Sequence, residues 1–67
     1  MQMQIISTIR VGHRIVTESQ IFEVYGSMKA RSGYKYLVVD TATKQKAALG
    51  REDVLQAQRE GSARVVA

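Results

Sequence analysis

Residues 34–49 read Tyr-Lys-Tyr-Leu-Val-Val-Asp-Thr-Ala-Thr-Lys-Gln-Lys-Ala-Ala-Leu, and this stretch decides the fold. Its first six residues are mostly aromatic or β-branched, which is typical of a strand. The polar residues 40–43 then predict a turn, and residues 44–49 return as a second strand. The stretch therefore predicts a β-hairpin.

The register of this hairpin determines which side chains are free. If residues 40 and 45 pair across a four-residue turn, Tyr34 and Tyr36 lie on the core face, and Lys35 and Lys46 lie on the other. If residues 40 and 46 pair instead, both tyrosines lie outside beside Lys44 and Lys46, as a stacking platform flanked by cations. Turn chemistry favours the first register, because the odd-length loop usually needs Gly or Asn in the left-handed position and has neither.

Residues 17–32 fit either a helix or a strand. Thr17 and Gln20 occupy the positions of a capping box, which indicates a helix. Apolar residues also recur at helical spacing, at Ile21, Val24, Tyr25 and Met28. A strand is favoured by the β-branched and aromatic residues among 21–25 and by Gly26, which costs a helix interior about 1 kcal/mol. We expect a strand here.

Both ends of the chain carry further patterns. Residues 1–11 place apolar side chains at alternate positions, which predicts a strand with one apolar face. Residues 51–60 are good helix formers, with Glu52 and Asp53 suited to the helix dipole and Gly61 as a stop. Residues 62–67 form either a frayed tail or a last strand.

Four to five short strands and one short C-terminal helix predict a mainly β fold, a small open β-barrel in which residues 1–67 form a single domain. The alternative is an α+β fold with a helix at about residues 17–32. Residues 11–15, the strand Ile-Phe-Glu-Val-Tyr-Gly, the strand Tyr-Leu-Val-Val-Asp and residues 49–54 resemble in layout the SH3-like barrels of Tudor and KOW-type modules. This resemblance covers roughly residues 11–55 and carries over no binding residue.

The net charge of +4 lies entirely within residues 29–46. The cations there are Lys29, Arg31, Lys35, Lys44 and Lys46, against the single acid Asp40, whereas charges elsewhere cancel. A positive cluster that contains tyrosines indicates a polyanion. We expect the five cations to contact phosphates of DNA or RNA, and Tyr34 or Tyr36 to stack on bases. The competing interpretation is that the charge serves solubility alone.

Catalytic and metal sites find little support in the residues. The chain has no Cys and one His, His13, so neither a metal site nor a cofactor is predicted. The serines lack a nucleophile-elbow context, and the glycines form no phosphate loop. We therefore expect no enzyme active within one subunit, while a site on an oligomer axis stays open.

A second functional hypothesis is a protein-interaction module, or an inhibitor-like accessory protein of a mobile element. It would act through the hairpin or through the edge of the N-terminal strand. Met3 and Ile5 lie on the apolar face of that strand, which either closes the barrel, the interpretation that we favour, or pairs with a second copy, in which case Met3 and Ile5 form a homo-oligomer interface. The sequence shows neither a signal-peptide pattern nor an apolar run long enough to cross a bilayer, so we expect a cytoplasmic protein with no membrane partner.

Overall fold

In the part of the chain that the structure describes, the protein folds around one antiparallel sheet of five strands. The structure, a computed structural model, describes Ile6 and residues 8–67. Its elements are β1 (Arg14–Thr17), β2 (Ile21–Ala30), β3 (Gly33–Asp40), β4 (Lys46–Gly50), α1 (Arg51–Glu60) and β5 (Ala63–Val66). The strands lie in the order β4-β3-β2-β1-β5. The predicted mainly β fold with a short C-terminal helix is confirmed, but among the described residues the sheet is open and does not close into a barrel.

Residues 21–30 form the long strand β2, so the alternative of a helix at about residues 17–32 is wrong. Thr17 and Gln20 do interact, but they close the turn between β1 and β2. The Gln20 N–H donates to Thr17 Oγ1 at 3.0 Å, and the Thr17 N–H donates to the Gln20 carbonyl at 2.9 Å. The same residue spacing suits a helix cap and a tight turn, because a threonine hydroxyl can accept a backbone N–H in both.

β3 and β4 pair in the register that the turn chemistry favours. The Asp40 N–H donates to the Gln45 carbonyl at 2.8 Å. Lys44 adopts the left-handed conformation, with φ 66°, that turns the chain back. This register places Tyr36 in the core and Lys46 on the opposite side of the sheet, since side chains alternate along a strand.

α1 packs on one side of the sheet and completes the core. The buried apolar residues are Ile15, Val24, Tyr36, Val38, Val54 and Val65. The helix ends as predicted, because Gly61 adopts φ 80° and the Ser62 N–H donates to the Ala57 carbonyl at 2.9 Å in a Schellman motif. We call the side covered by α1 the inner face and the opposite side the outer face.

Gln58 of α1 holds the chain that precedes β1. Its amide nitrogen donates to the Ile6 carbonyl at 2.9 Å, and its Oε1 accepts the Ile6 N–H at 2.8 Å. Gln58 is buried, so these two bonds satisfy a polar group that would otherwise be costly.

The predicted strand over residues 1–11 falls largely outside the described residues, as do Met3 and Ile5, while residues 8–11 form no strand.

Candidate nucleic-acid interface

The five basic residues predicted to bind phosphates separate into three places. Lys35 and Lys46 lie on the outer face. Lys29 and Arg31 lie at the β2–β3 turn, and Lys44 lies in the β3–β4 turn. Because β3 spans eight residues, these two turns are about 26 Å apart. The five cations therefore do not form one cluster, and of them Lys35 and Lys46 share the open face of the sheet.

Charged residues from different strands meet on the outer face. One row across the sheet, from β4 to β5, consists of Lys46, Val39, Glu23, Arg14 and Val66. Arg14 Nε lies 3.8 Å from Glu23 Oε1, so these two charges offset each other. Arg64 lies on the same face, on the edge strand β5. Lys35, Lys46 and Arg64 form no ion pair among the described residues, and they make this face positive.

An exposed tyrosine lies at the centre of the outer face. Tyr25 belongs to β2, the middle strand of the sheet, and is 41% exposed. The pairing with β3 shifts between Val24 and Gly26, so Tyr25 is the extra residue of a β-bulge. Lys46 reaches across from the edge strand, and its Nζ lies 5.4 Å from the centre of the Tyr25 ring. The Lys46 ammonium and the Tyr25 ring thus form a cation–π contact.

The single acid of the basic stretch lies away from the outer-face cations. Asp40 is 6% exposed, and its carboxylate accepts hydrogen bonds from the N–H groups of Ala42 at 2.8 Å and Thr43 at 3.2 Å. The Gln20 amide donates a third bond at 3.1 Å. These bonds, first the one from Ala42, hold the pKa of Asp40 below its ordinary value of 3.8. The carboxylate therefore shapes the β3–β4 turn.

The two tyrosines predicted to stack on bases differ in exposure. Tyr36 is 6% exposed and lies in the core, so its ring is not free to stack. Tyr34 is 52% exposed and lies opposite Lys29. It lines a shallow cleft of about 260 Å³ together with Arg51. A second grouping of an aromatic ring with cations thus lies at the end of the sheet, on its inner side.

The one histidine of the chain lies in the turn before β1. His13 Nδ1 accepts a hydrogen bond from the Arg10 N–H at 3.2 Å, which ties the ring to its own turn. Across the described residues, no group of three or more His, Cys, Asp or Glu is placed to hold a metal ion. In the same part of the chain, no helix has the length and apolar character needed to cross a membrane.

Two residues of the outer face, Tyr25 and Arg64, were not predicted from the sequence. Tyr25 lies within residues 17–32, whose sequence fitted both a helix and a strand. The residue that could have indicated its position is Gly26, because a glycine inside a strand often marks a bulge. Arg64 could not be placed because residues 62–67 fitted a tail as well as a strand. Its side is set by pairing of β5 with β1, which no local pattern shows.

Comparison with known proteins adds no functional information. No known family model matches the chain. No curated protein and no solved structure is significantly similar to it.

Proposed function

We propose that the protein binds nucleic acid on its outer face, with Lys35 and Lys46 of the β3–β4 hairpin in contact with phosphates. The observation that supports this most strongly is that Lys35 and Lys46 lie on the open face of the sheet without an ion pair among the described residues, with Lys46 over the ring of Tyr25. Cations of this kind attract phosphates whatever the base sequence. Binding would therefore be strong at low salt and would weaken as salt rises.

The other predicted cations border this surface. Lys29, near the end of β2 and opposite Tyr34 on the inner side, and Arg31, in the β2–β3 turn, lie at one end of β3, and Lys44 in the β3–β4 turn lies at the other end. Charges within about 10 Å of a phosphate still attract it at 0.1 M salt. In this proposal the three border residues add attraction at the ends of the hairpin, and they contribute less than Lys35 and Lys46.

The test is fluorescence anisotropy of labelled DNA and RNA, titrated with protein at about 50 mM salt, where phosphate contacts are strong. Lys46→Gln is expected to weaken binding. The matched control is Arg59→Gln, which removes one positive charge from the last turn of α1, on the other side of the sheet. We expect that control to bind as the native protein does. Equal losses in both variants, or no binding by the native protein, would refute the proposal.

A second candidate function is protein interaction, and exposed apolar side chains on the outer face favour it. These are Ile21, Tyr25, Met28 and Val66. A protein seated on them would bind with little dependence on salt, and Met28→Asp would disrupt it. Nucleic acid remains the first proposal because Lys35 and Lys46 lie among these residues, and lysine is depleted at protein–protein interfaces.

A further inference from the structure

The outer face combines two chemical characters on one open surface. Its cations suit phosphates, whereas Tyr25, Met28 and Val66 expose apolar surface between them. Five strands at the usual spacing make this face about 19 Å wide between the axes of its edge strands. A ligand that covers the whole face must therefore present negative groups that alternate with apolar groups, at a spacing equal to a few residues of the protein.

We propose that the nucleic acid bound here is single-stranded and that one of its bases stacks on the ring of Tyr25. This inference rests on the proposed function, and it names the class of nucleic acid that the same face accepts. A single strand presents phosphates on one side and unstacked base faces on the other, which matches both characters of the surface.

A duplex does not match this surface. Its bases are stacked on one another, and a protein reaches their edges by inserting a helix or a two-stranded ribbon into a groove. The outer face is not a two-stranded ribbon of this kind, because β2 and β3, the strands nearest Tyr25, each have a neighbouring strand on both sides. A duplex lying on this face would meet Lys35 and Lys46 but would leave the apolar side chains uncovered.

The bulge in β2 is what makes the Tyr25 ring available. As the extra residue of the bulge, Tyr25 has no partner on β3. The next residue is Gly26, and Leu37 packs over it: a Cβ at this position would lie 3.4 Å from Leu37 Cδ1. Leu37 thus fills the space beside the bulge, while Tyr25 as a whole stays two-fifths exposed.

Lys46 links the stacking position to the phosphates. Its ammonium lies over the Tyr25 ring in the free protein, 5.4 Å from the ring centre. A base that takes this place displaces the ammonium, which can then pair with the phosphate of the same nucleotide. The cation–π contact holds the lysine close to the surface until the ligand arrives, so less side-chain freedom is lost on binding.

The test compares one oligonucleotide sequence as a single strand and as a duplex, with binding to each followed by anisotropy. Tyr25→Leu removes the aromatic face and keeps an apolar side chain, and Tyr25→Phe keeps the ring. We expect the leucine variant to lose about 5- to 150-fold in single-strand affinity, the range measured for base–aromatic stacking. The phenylalanine variant should bind the single strand as the native protein does, and duplex binding should change little in either variant.

Tyr34→Leu is the matched control, because it removes the other exposed tyrosine, on the inner side of the sheet. We expect it to leave the single-strand affinity unchanged. Equal affinity for both forms, or a loss with the Tyr34 variant instead of the Tyr25 variant, would overturn this inference and leave nucleic-acid binding itself standing. Absence of binding to either form would overturn both proposals. Thermal melting by circular dichroism verifies that each variant is folded.

Discussion

Replacing Lys35 and Lys46 together by glutamine removes two of the outer-face cations that lack an ion pair among the described residues, and leaves Arg64. Each phosphate contact adds about −0.7 to the slope of log affinity against log salt for a single strand. If Lys35, Lys46 and Arg64 all contact phosphates, we expect a native slope of about −2.1, and affinity should fall roughly 20-fold between about 50 and 200 mM salt. With Arg64 alone the slope is about −0.7, and affinity falls roughly 3-fold over the same range.

The assay is anisotropy of a labelled single-stranded oligonucleotide at four or more salt concentrations between about 50 and 200 mM. The matched control is Arg51→Gln with Arg59→Gln, which removes the same charge from the two ends of α1. Its effects on the helix dipole oppose each other, because Arg51 is in the first turn and Arg59 in the last. A native slope in the lysine variant, or the same fall in slope in the arginine variant, would show that the outer face does not bind the phosphates.

Further predictions concern the scaffold, and urea and thermal unfolding measure them. Val38→Ala should lower the free energy of unfolding by about 2 kcal/mol, because the side chain is fully buried and leaves a cavity. Gly33→Ala should cost about 1 to 3 kcal/mol: φ is +119°, and no atom beyond the adjacent residues lies within 4 Å of the new Cβ, so the cost is conformational. Lys44→Gly should stabilise by up to about 1 kcal/mol, because it relieves a left-handed lysine. Folding lowers the pKa of Asp40, so the carboxylate stabilises the protein fully above pH 3.8, and this stabilisation is lost as pH falls through the lowered pKa. Asp40→Asn should therefore reduce the loss of stability at acid pH. The same loss in the variant and in the native protein would contradict this prediction.

Local chemistry was sufficient to predict the hairpin. The run of β-formers in β3 and the polar turn after it identify two paired strands, and turn length then favours one register. That register buries Tyr36. It does not bury Tyr34, because this residue lies at the start of β3, beyond the part of the sheet that the core covers. Distance from the core, and not alternation alone, decides which of the two rings is free.

Contacts distant in sequence were not predictable in the same way. Residues 1–11 alternate as a strand does, yet residues 8–11 form no strand, and Ile6 is held by Gln58 of α1 through contacts 52 positions apart. Similarly, a helical spacing in β2 arose by coincidence, and β-propensity together with pairing to two neighbouring strands outweighed it. The bulge at Tyr25 depends on the register between two strands, so the ring could not be assigned to the outer face in advance.

Lysine footprinting tests the central claim, that the outer face is where nucleic acid binds, most directly. The four lysines of the chain, Lys29, Lys35, Lys44 and Lys46, are distributed between this face and the hairpin turns. The protein is acetylated briefly with and without a saturating single-stranded oligonucleotide, and each lysine is quantified by mass spectrometry. Strong protection of Lys35 and Lys46, with Lys29 and Lys44 still reactive, is the predicted result. Equal protection of all four lysines, or protection of Lys29 and Lys44 alone, would contradict it.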